Sequence, residues 1–219
     1  MGARTWMLVY SNGIASEILK AKPRLDRNAT AELTNKLFPT EKLEPLDDGS
    51  LSFTCPPGNE LVVGCYPNLS IVAAREFGID YPSKLRTAFV EPALGHTIYL
   101  HAMHSVVDWF AYAIWKNGQL QRSLSLSPDS GVLEDIGVRL PVEEPYWAGQ
   151  HPAVDPEEEE SRYPLAFHPL ELGEAVLLEF FGYQLERVVD PSHLRPEEIP
   201  LMRFKRSKSW WRCWYGFPR

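Results

Sequence analysis

Three histidines and an aspartate, His96, His101, His104 and Asp108, stand close together in the chain. On a helix, His101, His104 and Asp108 would share one face, and two imidazoles with a carboxylate are a ligand set used by hydrolytic zinc and open-sided iron sites. The residues around them read as a strand instead. In an extended chain His101 and His104 point to opposite faces, and only a break between residues 104 and 108 can bring His104 and Asp108 together. The favoured expectation is therefore hydrogen-bonded histidines in a sheet and an aspartate holding a turn, with no metal. Arg122 is expected to pair with Asp108, because a buried guanidinium needs a carboxylate, and it is the anion holder of any enzyme built here.

A second candidate is Ser11-Asn12-Gly13, at the carboxyl end of an apolar strand and just before a helix. Open α/β sheets bind ligands at such ends and helix N-termini attract anions, which makes Ser11 and Asn12 candidate binding residues. The motif holds one glycine. The chain has no Gly-x-Gly-x-x-Gly, no Gly-Lys-Ser or Gly-Lys-Thr, and no Gly-x-Ser-x-Gly elbow, so a plain turn is the simpler reading and no cofactor is implied. Ser123, Ser125 and Ser127 alternate along one strand and read as its polar outer face.

The elements that must position these groups follow from pattern and punctuation. Residues 5–10 form an apolar strand ended by a turn, with helices expected over 14–21 and from Asp26 or Asn28 to Leu37, the latter stopped by Pro39. Short strands fit residues 61–66, 70–74 and 97–103, and residues 82–94 suit a short helix. Asn117-Gly118 joins two strand-like runs and signals a two-residue hairpin. Counting outward pairs Trp115 with Leu120, Ala113 with Arg122, Ala111 with Leu124 and Trp109 with Leu126. The first run, apolar on both faces, reads as an inner strand and the second as half-exposed. A further strand is expected over 137–140, a solvated acidic loop over 151–161, and an amphipathic helix from Pro169 to Gly182, with proline inside its start and glycine past its end. The fold class is α+β, with a mixed, largely antiparallel sheet, a central Trp-rich hairpin and helices packed on one face.

At 219 residues and 44% hydrophobic content the chain can bury a full core without disulfide staples. Its net charge of −7 conceals an asymmetry. Residues 203–219 carry six positive charges and no negative one, which leaves −13 on the other 202 residues. The expected organisation is a single domain over 1–202 and a basic, aromatic tail over 203–219. Trp210, Trp211, Arg212 and Trp214 are the tail's contact residues, docked on the acidic body or on a protein partner. Cations between rings also suit nucleic acid, but an acidic body repels a polyanion, so nucleic acid is disfavoured. The longest apolar stretch, residues 97–115, contains His101, His104 and Asp108, which argues against a membrane span. The apolar N-terminus is too short for a signal peptide, and three cysteines without a Cys-x-x-Cys pair fit reduced thiols, so the expected location is cytoplasmic.

Several runs carry a resemblance: the opening Met-Gly-Ala-Arg-Thr-Trp-Met-Leu-Val-Tyr-Ser-Asn-Gly, the centre Tyr-Leu-His-Ala-Met-His-Ser-Val-Val-Asp-Trp-Phe-Ala-Tyr-Ala-Ile-Trp, Arg-Ser-Leu-Ser-Leu-Ser-Pro-Asp, Pro-Tyr-Trp-Ala-Gly and Phe-His-Pro-Leu-Glu-Leu-Gly. Over most of residues 1–185 the chain resembles an uncharacterised family of cytosolic actinobacterial proteins, and its hairpin is loosely similar to small α+β proteins of bacterial toxin and immunity systems. The resemblance implies action by binding and brings no activity with it. The function expected is a non-catalytic binding or interaction protein with an unidentified protein partner or small ligand. The alternative is a metal-dependent or hydrolase-type enzyme using His101, His104 and Asp108.

Overall fold

The computed structural model describes residues 2–91, 96–154, 163–186, 190 and 192–208. Among them the fold is α+β, and ten strands form one open sheet in which every pairing is antiparallel. The chain opens with β1 (Arg4–Ser11), α1 (Ala15–Lys20) and α2 (Arg27–Leu37), followed by β2 (Glu41–Pro45), β3 (Gly49–Ser50), β4 (Glu60–Tyr66) and β5 (Leu69–Ala73). After a segment of short 3-10 turns come β6 (Thr97–His104), β7 (Trp109–Lys116), β8 (Gln119–Ser127) and β9 (Gly131–Gly137). Then follow α3 (Glu144–Trp147), α4 (Pro169–Phe181) and β10 (Pro200–Lys208). The spatial order is β2-β10-β4-β5-β1-β6-β7-β8-β9, and β3 pairs with the start of β10.

Each central strand is apolar on both faces, so the sheet has two cores. On one face Met7, Val9, Ile71, Met103, Phe110 and Tyr112 pack against α1, α3 and α4, chiefly through Leu19, Tyr146, Leu172, Val176 and Leu177. On the other, Leu8, Tyr10, Val72, Leu100, Ala111 and Trp115 are covered by the 3-10 segment through Phe77, Leu85 and Phe89, and by Leu37 and Phe38 at the end of α2. The helix-on-one-face expectation thus describes α1, α3 and α4, whereas the opposite face is closed by the end of α2 together with the 3-10 segment.

Local chemistry explains the element ends. The Asp26 carboxylate caps α2 by accepting from Ala29 N at 2.9 Å, and Thr30 Oγ1 ties the helix to the sheet by accepting from Cys65 N. The buried line of α2 is Thr30, Thr34 and Leu37, and the two threonine hydroxyls bond back to helix carbonyls while Thr30 also accepts from the sheet. Helix α4 ends at Gly182 in the left-handed region (φ 79°), as a glycine C-cap allows. Gly173 on the same helix faces the sheet, and a Cβ there would stand 3.1 Å from Met103 Sδ and from a ring carbon of Phe110. Its small size lets α4 approach β6 and β7 closely.

The hairpin of β7 and β8 departs from simple counting. Trp115 pairs with Leu120 as expected, but a β-bulge between Ile114 and Trp115 shifts the rest, pairing Ile114 with Arg122, Ala113 with Ser123, Ala111 with Ser125 and Phe110 with Leu126. The shift exchanges the faces of β8. Arg122, Leu124 and Leu126 turn to the helix side, and Ser123, Ser125 and Ser127 turn to the 3-10 side. The bulge also overturns the view of β8 as half-exposed, because β9 lies outside it and those serines are buried. Strand β9 ends at Gly137, so the strand expected over 137–140 lies earlier in the chain, and residues 82–94 give 3-10 turns at Pro82–Lys84 and Thr87–Phe89.

The basic stretch beginning at Arg203 does not start at a structural boundary. Arg203 to Lys208 belong to β10, which is paired on both sides, with β2 and β4. Its cations meet body carboxylates: Arg203 donates to Glu60 at 2.8 Å, and Arg206 bridges Glu41 and Glu76. Trp210, Trp211, Arg212 and Trp214, like most of the 151–161 loop, lie outside the described residues. No helix among the described residues is long and apolar enough to cross a membrane.

Candidate functional site

The sequence candidates separate into five environments. His101 sits in mid β6 on the helix face, about 1% exposed, with both ring nitrogens engaged. Nε2 lies 3.0 Å from the Gly173 carbonyl, which can only accept, so Nε2 carries the proton and Nδ1 accepts from the Thr5 hydroxyl at 2.6 Å. Burial lowers the pKa of this imidazole to about 4, against the opposing pull of the Gly173 carbonyl. His101 fastens α4 to the sheet and has no lone pair left for a metal.

His104, three residues on, faces the other side of the sheet. It pairs across strands with Arg4 and Trp109 and stacks on Trp6, the ring centroids 6.3 Å apart and the planes 21° from parallel. Its Nδ1 is shielded from solvent and has no hydrogen-bond partner. Burial, and then the charge of Arg4, lowers its pKa.

Asp108 closes the β6–β7 turn with φ 46° and points back to the helix side, where Oδ2 lies 3.6 Å from Nε2 of His168, the residue before α4. That separation exceeds a hydrogen bond. Tyr163 stacks on His168, its hydroxyl pushed up to about 12 by burial and by the Asp108 charge. His101, His104 and Asp108 therefore do not converge: His104 lies across the sheet from His101, and Asp108 sits beside His168. Among the described residues no group of three or more His, Cys, Asp or Glu side chains is placed to hold a metal ion.

Arg122 has carboxylate partners, and Asp108 is not one of them. The bulge aims its guanidinium at Glu143, with Nε at 2.8 Å from Oε1 and Nη2 at 2.6 Å from Oε2, while Nη1 donates to Asp135 at 2.5 Å and to the Ile136 carbonyl at 2.9 Å. Glu143 also accepts from the Tyr112 hydroxyl at 2.6 Å and from Leu140 N at 2.8 Å. Burial opposes both charges, and their mutual hydrogen bonds overcome it, holding the guanidinium above and the carboxyl below their usual ranges. With all three guanidinium nitrogens engaged and the side chain about 1% exposed, Arg122 is a structural ion pair and does not face an open anion site. The sequence rule that a buried arginine needs a carboxylate was right, but Glu143, in Pro-Val-Glu-Glu-Pro, gave no periodic signal of its burial.

Ser11 and Asn12 close their own turn. Ser11 Oγ donates to the Gly13 carbonyl at 2.8 Å, and Asn12 Oδ1 accepts from His96 N at 2.9 Å. The plain-turn reading accounts for both.

What the sequence did not reveal is a groove of about 350 Å³ on the 3-10 face, at the end of the sheet where β6 turns into β7. Trp6, His104 and Trp109 form its floor, Asp80 enters from the 3-10 segment and Asp129 from the β8–β9 turn. Gly78 backs the Trp6 indole so closely that a Cβ would stand 2.7 Å from Nε1, which fixes the ring against the imidazole. Trp109 is held from the far side by its indole N–H, which donates to Ser125 Oγ at 3.2 Å. The signal available in sequence was the even spacing of Arg4, Trp6, Leu8 and Tyr10, which puts Trp6 on one face of β1, but only the pairing of β1 with β6 brings it to His104.

Neither a curated protein nor a solved structure matches the chain. A family model does, over residues 5–204, and so covers the sheet except Arg4 of β1 and residues 205–208 of β10, and every candidate above except the contact residues beyond β10. The chain belongs to that family, a family of unknown function (DUF6928).

Proposed function

We propose that this protein acts by binding, and that its ligand enters the groove floored by Trp6, His104 and Trp109. The observation that carries this reading is the unpartnered Nδ1 of His104, shielded from solvent on an imidazole that stacks on Trp6 and lines the groove with Trp109. A buried polar atom without a partner costs on the order of 1–3 kcal/mol. A ligand that hydrogen-bonds to it would recover that cost, whereas His101 on the same strand is already satisfied. The supporting chemistry is a site with rigid aromatic walls and a few convergent polar groups, the usual make-up of a small-molecule pocket. Val106 and Val107, 68% and 49% exposed on the β6–β7 turn, add an apolar rim.

The enzyme alternative built on His101, His104 and Asp108 lacks a shared centre, and a catalytic reading would have to begin from Asp108 and His168. The binding reading is tested by a thermal-shift screen of small metabolite-like compounds on the full chain and on Trp6→Ala. The expected result is a set of stabilising compounds whose effect disappears in the variant. Hits that act equally on both proteins, or no hits, would count against the groove.

A further inference from the structure

We infer that the groove takes an organic cation, an ammonium head carried on a small apolar body, and this inference rests on the binding reading above. Asp80 and Asp129 enter the groove from two different loops, both are exposed, and among the described residues neither makes an ion pair. Trp6, Val107, Trp109 and Leu133 line the same groove and offer apolar wall to the body that carries the charge. Two unpaired carboxylates beside two tryptophans are complementary to one charge type.

The cations nearby are otherwise placed. Arg4 sits opposite His104 in the strand register, exposed at the start of β1. Lys84 has its ammonium over the Tyr81 ring, 4.5 Å from the centroid, in the adjoining hollow that shares Gly78 and Asp80. Residues 1–208, which include the whole sheet, hold 20 positive and 29 negative charges, and the net of −9 adds a long-range field of the same sign. Burial and the nearby Arg4 charge disfavour the charged form of His104, so its imidazole adds no fixed positive charge against a cation.

The test uses choline and its uncharged carbon isostere, 3,3-dimethylbutan-1-ol, titrated into the full chain while the indole and imidazole NMR signals are followed. Choline is expected to move the Trp6, Trp109 and His104 signals and to bind about tenfold more tightly than the isostere, the size of the attraction of two partly solvated carboxylates for one cation. Asp80→Asn with Asp129→Asn should erase most of that preference while leaving the isostere's affinity unchanged, and added salt should weaken choline alone. Equal binding of the two compounds would overturn the cation inference and leave the groove intact. Failure of both to bind would overturn the inference too, and the compound screen then decides the groove separately.

Discussion

His101 and His104 lie on one strand, three residues apart, and differ in nearly every physical respect. His101 faces the helix side, where α4 comes close because Gly173 lacks a side chain, and both its nitrogens are bonded. His104 faces the 3-10 side, where irregular chain leaves a groove and one ring nitrogen has no partner. Regular helices can pack densely on a sheet and satisfy what they bury. Short turns cover the other face less completely, and at the β6–β7 end that leaves room for a ligand. The same contrast runs through the serines: Ser123 and Ser125 are buried on the 3-10 side, bonded to Glu134 and Trp109, while Arg122, the residue before Ser123, turns to Glu143.

The most severe way to break the helix face is Glu143→Ala, which leaves the Arg122 charge buried with only Asp135 beside it. An expected loss of about 3–5 kcal/mol follows from uncompensated burial of a charge, measurable by urea denaturation. A loss below about 1 kcal/mol would show the pair to be solvated. His101→Ala comes next, with a loss of about 2–4 kcal/mol from the cavity and from the stranded Gly173 carbonyl and Thr5 hydroxyl.

Acid should expose the same histidine. Its folded pKa of about 4 lies below the unfolded value of about 6.5, so the unfolded chain takes up the proton first and stability falls as pH drops from about 6.5 toward 4. At pH 5 the loss from this group is on the order of 2 kcal/mol, which His101→Gln should remove from the pH profile of the melting temperature. An unchanged profile in that variant would reassign the acid sensitivity. The smallest expected effect belongs to His104→Ala, within about 1 kcal/mol of the parent, because a partly exposed ring with an unsatisfied nitrogen contributes little. If His104→Ala cost as much as His101→Ala, the contrast between the two faces would collapse.

Much of the scaffold was legible in the sequence because it depends on local chemistry. The Asp26 cap, the Asn117-Gly118 turn, the proline-to-glycine span of α4 and the two-sided apolar strands were all readable, and strand alternation alone separated His101 from His104. What could not be read depends on a single inserted residue or on distant pairing. The bulge at Ile114 and Trp115 reversed the faces of β8 and with them the partner of Arg122. The meeting of Asp108 with His168, and of Trp6 with His104, depends on which strands and helices become neighbours. The contiguity of Arg203 to Lys208 with the central sheet was hidden for the same reason, since a basic, aromatic composition reads as a tail whether or not it pairs with strands far away in sequence.

The most direct measurement of the central claim is a long-range 1H–15N NMR spectrum of the imidazoles in the full chain, recorded before and after addition of a compound that stabilises the parent but not Trp6→Ala. The account expects the His104 nitrogens to shift, with Nδ1 changing most, while His101 keeps its Nε2–H form and its position. Movement of His101 with a stationary His104 would contradict it.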